Sequence, residues 1–162
     1  MSETLKADYV NPFVTKALDT LKQFLPDSEI TRGEISVHET PFNLQGTATY
    51  LGISGDLQGR VIYQMDVDTA INVAGEMNHE EFDELNEIAR STIQELGNII
   101  SGNATTKLRN IAEDKTIDIT PPSLIVGKDT QISDSASSKF IRVPLHTPHG
   151  DFSINLAVKE AN

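Results

Sequence analysis

The sequence predicts an α/β fold of the α+β type, with one antiparallel sheet and long helices packed on one of its faces. Three observations carry this expectation. Apolar residues recur at helical spacing ahead of runs that alternate like strands. Short Gly-containing turns join the strand-like runs, which makes them hairpins and therefore antiparallel neighbours. The two halves of the chain repeat one order: helix, strands, then a hairpin ending in a strictly alternating strand.

Asn11-Pro12 is expected to open the first helix, with Asn as N-cap and Pro in the first helical position. Val14, Leu18, Leu21 and Leu25 then form one apolar stripe, and Pro26-Asp27-Ser28 ends it. Strands are expected over residues 30–38, 44–53 and 59–66, the last two joined by the turn at 54–59. In the third, Val61, Tyr63 and Met65 alternate with Arg60, Ile62 and Gln64.

Asp68 is expected to cap a short helix ending near Met77. Asn78, with Glu81 three residues on, reads as a capping box that starts a long helix from His79 to about Ile111. Asp114 and Lys115 break it. Strands at 116–120 and 123–127 flank Pro121-Pro122, and the polar stretch 128–138 reads as a loop or hairpin tip. A final hairpin pairs 139–146 with 151–159, where Phe152, Ile154, Leu156 and Val158 alternate. Val61/Tyr63/Met65 after Gly59 corresponds to Phe152/Ile154/Leu156 after Gly150. This implies one domain over 1–162, built from similar halves of about 9–77 and 78–162, with no linker rich in Gly, Ser or Pro between them.

Composition removes several functions. The chain has 162 residues and a formal net charge of −11, so nucleic acid and anionic lipid would repel it. It has no Cys, which excludes disulfides, thiol nucleophiles and Cys-based zinc sites. Residues 1–8 contain no apolar core of a secretory signal, and no stretch is long enough to span a membrane. The expectation is a cytoplasmic protein with no nucleic-acid partner and no membrane insertion.

The chemistry points to residues 91–104. At 3.6 residues per turn, Ser91, Glu95 and Asn98 share one narrow face, and Gly102 and Thr105 continue it. Ala89, Ile93, Leu96 and Ile100, with Leu85 before them, lie opposite and would pack on the sheet. Asn is a poor mid-helix residue, and Gly97 and Gly102 each cost about 1 kcal/mol against Ala. Either the close approach of another molecule or a tight helix crossing would account for such a weak helix. His146 and His149 near Asp151 are explained by a turn, so no metal is expected.

The spacing Ser91, three residues, Glu95, two residues, Asn98, twenty-two residues, Pro121 resembles the motif of the CheC–CheX–FliY family of chemotaxis phosphatases. The run from Glu95 to Ala104 and the opening Tyr9-Val10-Asn11-Pro12-Phe13 resemble it too, and the duplicated layout extends the resemblance over the whole chain. The first helix carries no Glu-x-x-Asn, so the single motif-bearing helix is similar to the CheX branch rather than to CheC. Ser91 stands where many members have Asp.

The resemblance implies removal of the phosphoryl group from the aspartate of a CheY-type response regulator. Asn98 would orient the attacking water, and Glu95 would pair with the regulator's Lys. Ser91 would hydrogen-bond the partner, Gly102 and Thr105 would leave room for its loops, and Pro121 would be structural. It implies no cofactor of the chain's own, Mg²⁺ in the partner regulator, and a homodimer. The alternative is a non-catalytic module, flagellar-switch-like or a scaffold, that binds response regulators.

Overall fold

The computed structural model describes residues 7–26, 28–111, 115–133 and 139–161. Asp27, Asp114 and residues 134–138 of the loop or hairpin tip expected over 128–138 lie outside the described residues.

The elements run α1 (Ala7–Phe24), β1 (Thr31–Arg32), β2 (Ser36–Glu39), β3 (Phe42–Gly55), β4 (Leu57–Met65), α2 (Val67–Asn78), α3 (Glu87–Ile111), β5 (Ile117–Ile119), β6 (Ser123–Ile132), β7 (Lys139–Thr147) and β8 (Gly150–Glu160). The sheet is antiparallel throughout, in the order β1-β7-β8-β4-β3-β5, with β2 also paired to β7 and β6 also paired to β3. The order reads alike from either edge: the strands that follow each long helix pair with the hairpin of the other half. The two alternating strands meet at the centre, where Val61 faces Leu156 and Tyr63 faces Ile154.

Among the described residues the three helices lie on one face. Their buried residues share a single cluster with the inward side chains of the strands, among them Val61, Tyr63, Val143, Phe152 and Leu156. A smaller cluster of Leu44, Ala48, Ile62, Phe140 and Ala157 contains strand residues alone and belongs to the opposite face. On that side the fully buried Asn155 accepts from Arg142 Nε at 2.7 Å and donates to the Ile62 carbonyl at 3.1 Å.

The strand expected over 30–38 is two short strands, β1 and β2, and the turn expected at 54–59 narrows to Asp56 between β3 and β4. Four further boundaries differ from the sequence reading, each for a physical reason. Pro12 lies inside α1, which is already helical at Ala7. Tyr9 and Val10 are buried, and the Tyr9 hydroxyl donates to Glu160 Oε1 of β8 at 2.7 Å. Tertiary packing therefore holds a turn ahead of the proline. The N-cap of α2 is Asp66, whose carboxylate accepts from Thr69 N, not Asp68.

The long helix starts at Glu87 rather than His79. Asn78 closes α2 instead of opening α3: its Nδ2 donates to the Ala74 carbonyl and to Thr92 Oγ1, both at 2.8 Å. His79 sits in the left-handed region and ends α2. Asn86 is the N-cap of α3, accepting from Ala89 N at 2.9 Å. The acidic residues 80–84 therefore lie in the connection. Finally, β6 continues past Gly127 to Ile132 through an irregularity where Asp129 has φ 58° and accepts from Gln45 Nε2 at 2.8 Å.

Candidate active site on helix α3

Helix α3 is held by one side. Ala89, Ile93, Leu96, Gly97, Ile100, Ser101, Ala104, Thr105 and Leu108 are buried along it. Gly97 lets the helix approach the sheet: a Cβ there would stand 2.9 Å from Thr49 Cγ2 and 3.2 Å from Tyr63 Cδ2. Neither expected explanation holds as stated for Gly97: its neighbours belong to β3 and β4, so the glycine serves close packing of the helix on the sheet, not a helix crossing or a partner's approach. One turn on, Ser101 Oγ and the Tyr63 hydroxyl share a buried hydrogen bond of 2.7 Å. Burial pushes the Tyr63 phenol well above its usual range, against the opposing pull of that hydrogen bond. Tyr63 in turn stacks on Phe152, with ring centroids 5.5 Å apart. Gln94 Nε2 donates to the Pro122 carbonyl at 3.3 Å, tying the helix to the segment between β5 and β6.

The opposite face carries the polar residues. Ser91 and Glu95 are exposed and Asn98 is half-buried. Asn98 Nδ2 donates to Glu95 Oε1 at 3.2 Å, one turn apart on the same face. A carboxylate only accepts, so the amide nitrogen is the group turned toward it, and the amide oxygen keeps its acceptor sites for another donor. Gly102 is half-buried with nothing within 4 Å of a Cβ built on it, so the backbone there is open to approach.

Thr105 does not continue this face. It is 2% exposed, and its hydroxyl donates to the Ser101 and Gly102 carbonyls at 3.0 Å each. At about 100° per residue it falls about 20° beyond Asn98, on the Ser101 side, where the helix margin turns into the core. The expectation that it meets a partner is corrected on this ground. Pro121 lies between β5 and β6, both paired with β3. Its carbonyl accepts from Thr120 Oγ1 at 3.3 Å, and that hydroxyl also accepts from Gly52 N at 2.8 Å.

The helix that presents this pair lies within the segment that matches a known family. Residues 47–146, which include all of α3 and Pro121, match the family described as "Chemotaxis phosphatase CheX". The CheY-P phosphatase CheX of Thermotoga maritima is 31% identical over 159 residues, 96% of this chain and 98% of that protein. The chain belongs to the CheX family. Among solved structures, CheX in the CheX–CheY–BeF3–Mg²⁺ complex of Borrelia burgdorferi matches with a TM-score of 0.81 at 32% identity, covering 96% of this chain and 100% of that one. A CheC-like superfamily protein of a Shewanella species matches with a TM-score of 0.84 at 19% identity, covering 96% and 99%, and so shows the shared fold.

Among the described residues no three of His, Asp and Glu are grouped so as to hold a metal ion. His146 Nδ1 lies 2.8 Å from Asp151 Oδ1, while His149 Nε2 lies 3.6 Å from Glu76 of α2. Among them, too, no helix is long and apolar enough to cross a membrane. The sequence reading missed the apolar residues beside the pair, Phe24, Met77, Ile88 and Ile99, which share a groove with Ser91 and Glu95. Ile88 on the polar stripe of α3 was the signal available.

Proposed function

We propose that this chain hydrolyses the aspartyl phosphate of a CheY-type response regulator, with Asn98 orienting the attacking water and Glu95 engaging the regulator's Lys. The observation that supports it most is the hydrogen-bonded Glu95–Asn98 pair, presented outward on a helix whose far side is fixed to the sheet, in a member of the CheX family. Phosphoryl transfer needs little covalent chemistry from the protein; positioning and electrostatics do most of it.

When the regulator docks, its Lys takes the place of Asn98 Nδ2 at the Glu95 carboxylate. The freed carboxamide accepts a hydrogen bond from a water in line with phosphorus. The water oxygen bonds to phosphorus, the bond from phosphorus to the aspartate oxygen breaks, and the products are inorganic phosphate and a free carboxylate. The water's proton leaves with the phosphate or to solvent, since an amide is too weak a base to take it. Mg²⁺ belongs to the regulator in this scheme. Ser91 hydrogen-bonds the regulator, Gly102 lets its backbone come close, and Pro121 with Pro122 holds the strand connection against Gln94. Homodimer assembly and a cytoplasmic location belong to the same proposal and rest on the family.

The test is phosphate release from a CheY-like receiver phosphorylated with acetyl phosphate, with and without the chain. Acceleration is expected. Binding to the phosphorylated receiver with no acceleration would establish the non-catalytic scaffold instead.

A further inference from the structure

Beside the Glu95–Asn98 pair the helix layer is hollowed. A groove of about 490 Å³ lies where the C-terminal ends of α1 and α2 meet the first turns of α3, and Ser91 and Glu95 form part of its wall. The apolar lining is Phe24, Met77, Ile88 and Ile99. Phe24 and Met77 pack against the core and also border the groove, and Ile88 is 55% exposed. The other end of the α3 stripe differs: there Lys16, Lys107, Asn103 and Asn110 line a polar hollow. Apolar surface is thus concentrated at one end of the stripe, against the carboxylate.

We infer that this groove receives a bulky apolar side chain of the response regulator, carried next to its phosphorylation site, and that Ile88 and Met77 thereby select which regulator is served. The inference rests on the function proposed above. Its first support is continuity, because a regulator that reaches Glu95 touches the groove wall. Its second is size. A standard interface buries roughly 800 Å² on each partner, the area of a disc of radius roughly 16 Å. Ile88 precedes Glu95 by seven residues, about 10 Å along the helix axis, and so falls inside that footprint. Its third is chemistry. An apolar anchor seated in a pocket carries much of the energy of an interface, and a flexible Met adapts the pocket to its occupant. Glu95 and Asn98 supply contacts that any receiver with an active-site Lys would satisfy, whereas the groove supplies contacts that differ between receivers.

Steady-state phosphate release from an acetyl-phosphate-labelled CheY-like receiver tests this in the full-length protein. Ile88→Gln keeps a good helix former at an exposed position and is expected to raise KM about tenfold, with kcat within twofold of wild type. Ile88→Leu is expected to restore KM, and Met77→Gln to raise it as Ile88→Gln does. For Ile88→Gln a urea denaturation midpoint unchanged from wild type separates the effect from loss of fold, whereas Met77, which also packs on the core, is read by the split between KM and kcat. A wild-type KM in Ile88→Gln, or a fall in kcat at unchanged KM, overturns the inference and leaves the phosphatase reading intact. No acceleration by the wild-type chain overturns both.

Discussion

The two glycines of α3 should respond oppositely to the same substitution. Gly97→Ala places a methyl 2.9 Å from Thr49 Cγ2 and 3.2 Å from Tyr63 Cδ2. Both neighbours are buried, Thr49 at 1% and Tyr63 at 2% exposure, so neither can swing into solvent to make space. Overpacking of this kind costs about 1–3 kcal/mol. The better helix propensity of Ala returns about 1 kcal/mol, leaving a net loss of about 0–2 kcal/mol. At Gly102 nothing lies within 4 Å of the added methyl, so only the propensity gain of about 1 kcal/mol remains. The two variants should therefore differ by about 1–3 kcal/mol, and each kcal/mol moves Tm by about 2–4 °C in a domain of this size. Urea denaturation followed by far-ultraviolet circular dichroism measures the difference. Gly102→Gln extends the comparison: it should leave the fold as stable as Gly102→Ala yet slow stimulated phosphate release, because its side chain fills the space the regulator needs. If Gly102→Ala destabilises as much as Gly97→Ala, the assignment of the open and packed sides of α3 is wrong. If Gly102→Gln keeps full activity, no partner comes close at that point.

Three further outcomes follow from the same geometry. Glu95→Gln removes the charge that meets the regulator's Lys and should weaken binding to the phosphorylated receiver by about tenfold or more, with a shallower salt dependence than wild type by titration at two ionic strengths. The stimulated rate should stay nearly flat between about pH 6 and 8, because the water-orienting amide does not titrate and no His lies on the reactive face; a steep sigmoid in a pH–rate profile would assign the chemistry to an imidazole. Tyr63→Phe leaves the buried Ser101 hydroxyl without its partner and should cost about 1–2 kcal/mol in urea denaturation while kcat stays within twofold.

The strands and the reactive face were legible because both rest on strong periodicity. Val61/Tyr63/Met65 and Phe152/Ile154/Leu156 alternate without interruption, and the structure pairs them at the centre of the sheet. Ser91, Glu95 and Asn98 share a face because the helix around them is regular. What failed did so where one residue type serves two purposes. Asn78 looks like an N-cap, but its amide is used by Ala74 and Thr92, contacts invisible before α2 and α3 are packed. Pro12 resembles a helix start, and only the burial of Tyr9 and Val10 extends the helix through it. Thr105 lies at the margin between the open and packed sides, where a shift of about 20° decides burial. The strand past Gly127 was hidden because Lys128, Asp129 and Gln131 are exposed, so its composition reads as loop. The groove at Ile88 escaped notice because Phe24, Met77 and Ile88 come from three helices and meet only in the fold.

The central claim is that Asn98 acts on the reaction and not on recognition or folding. Single-turnover phosphate release by Asn98→Ala, measured beside its affinity for the BeF3-activated receiver, addresses it most directly. The expected result is a rate lowered about 100-fold or more, as loss of a positioning group would give, with affinity within a few fold of wild type and an unchanged urea midpoint. An undiminished rate, or a rate lost only in proportion to affinity, would contradict it.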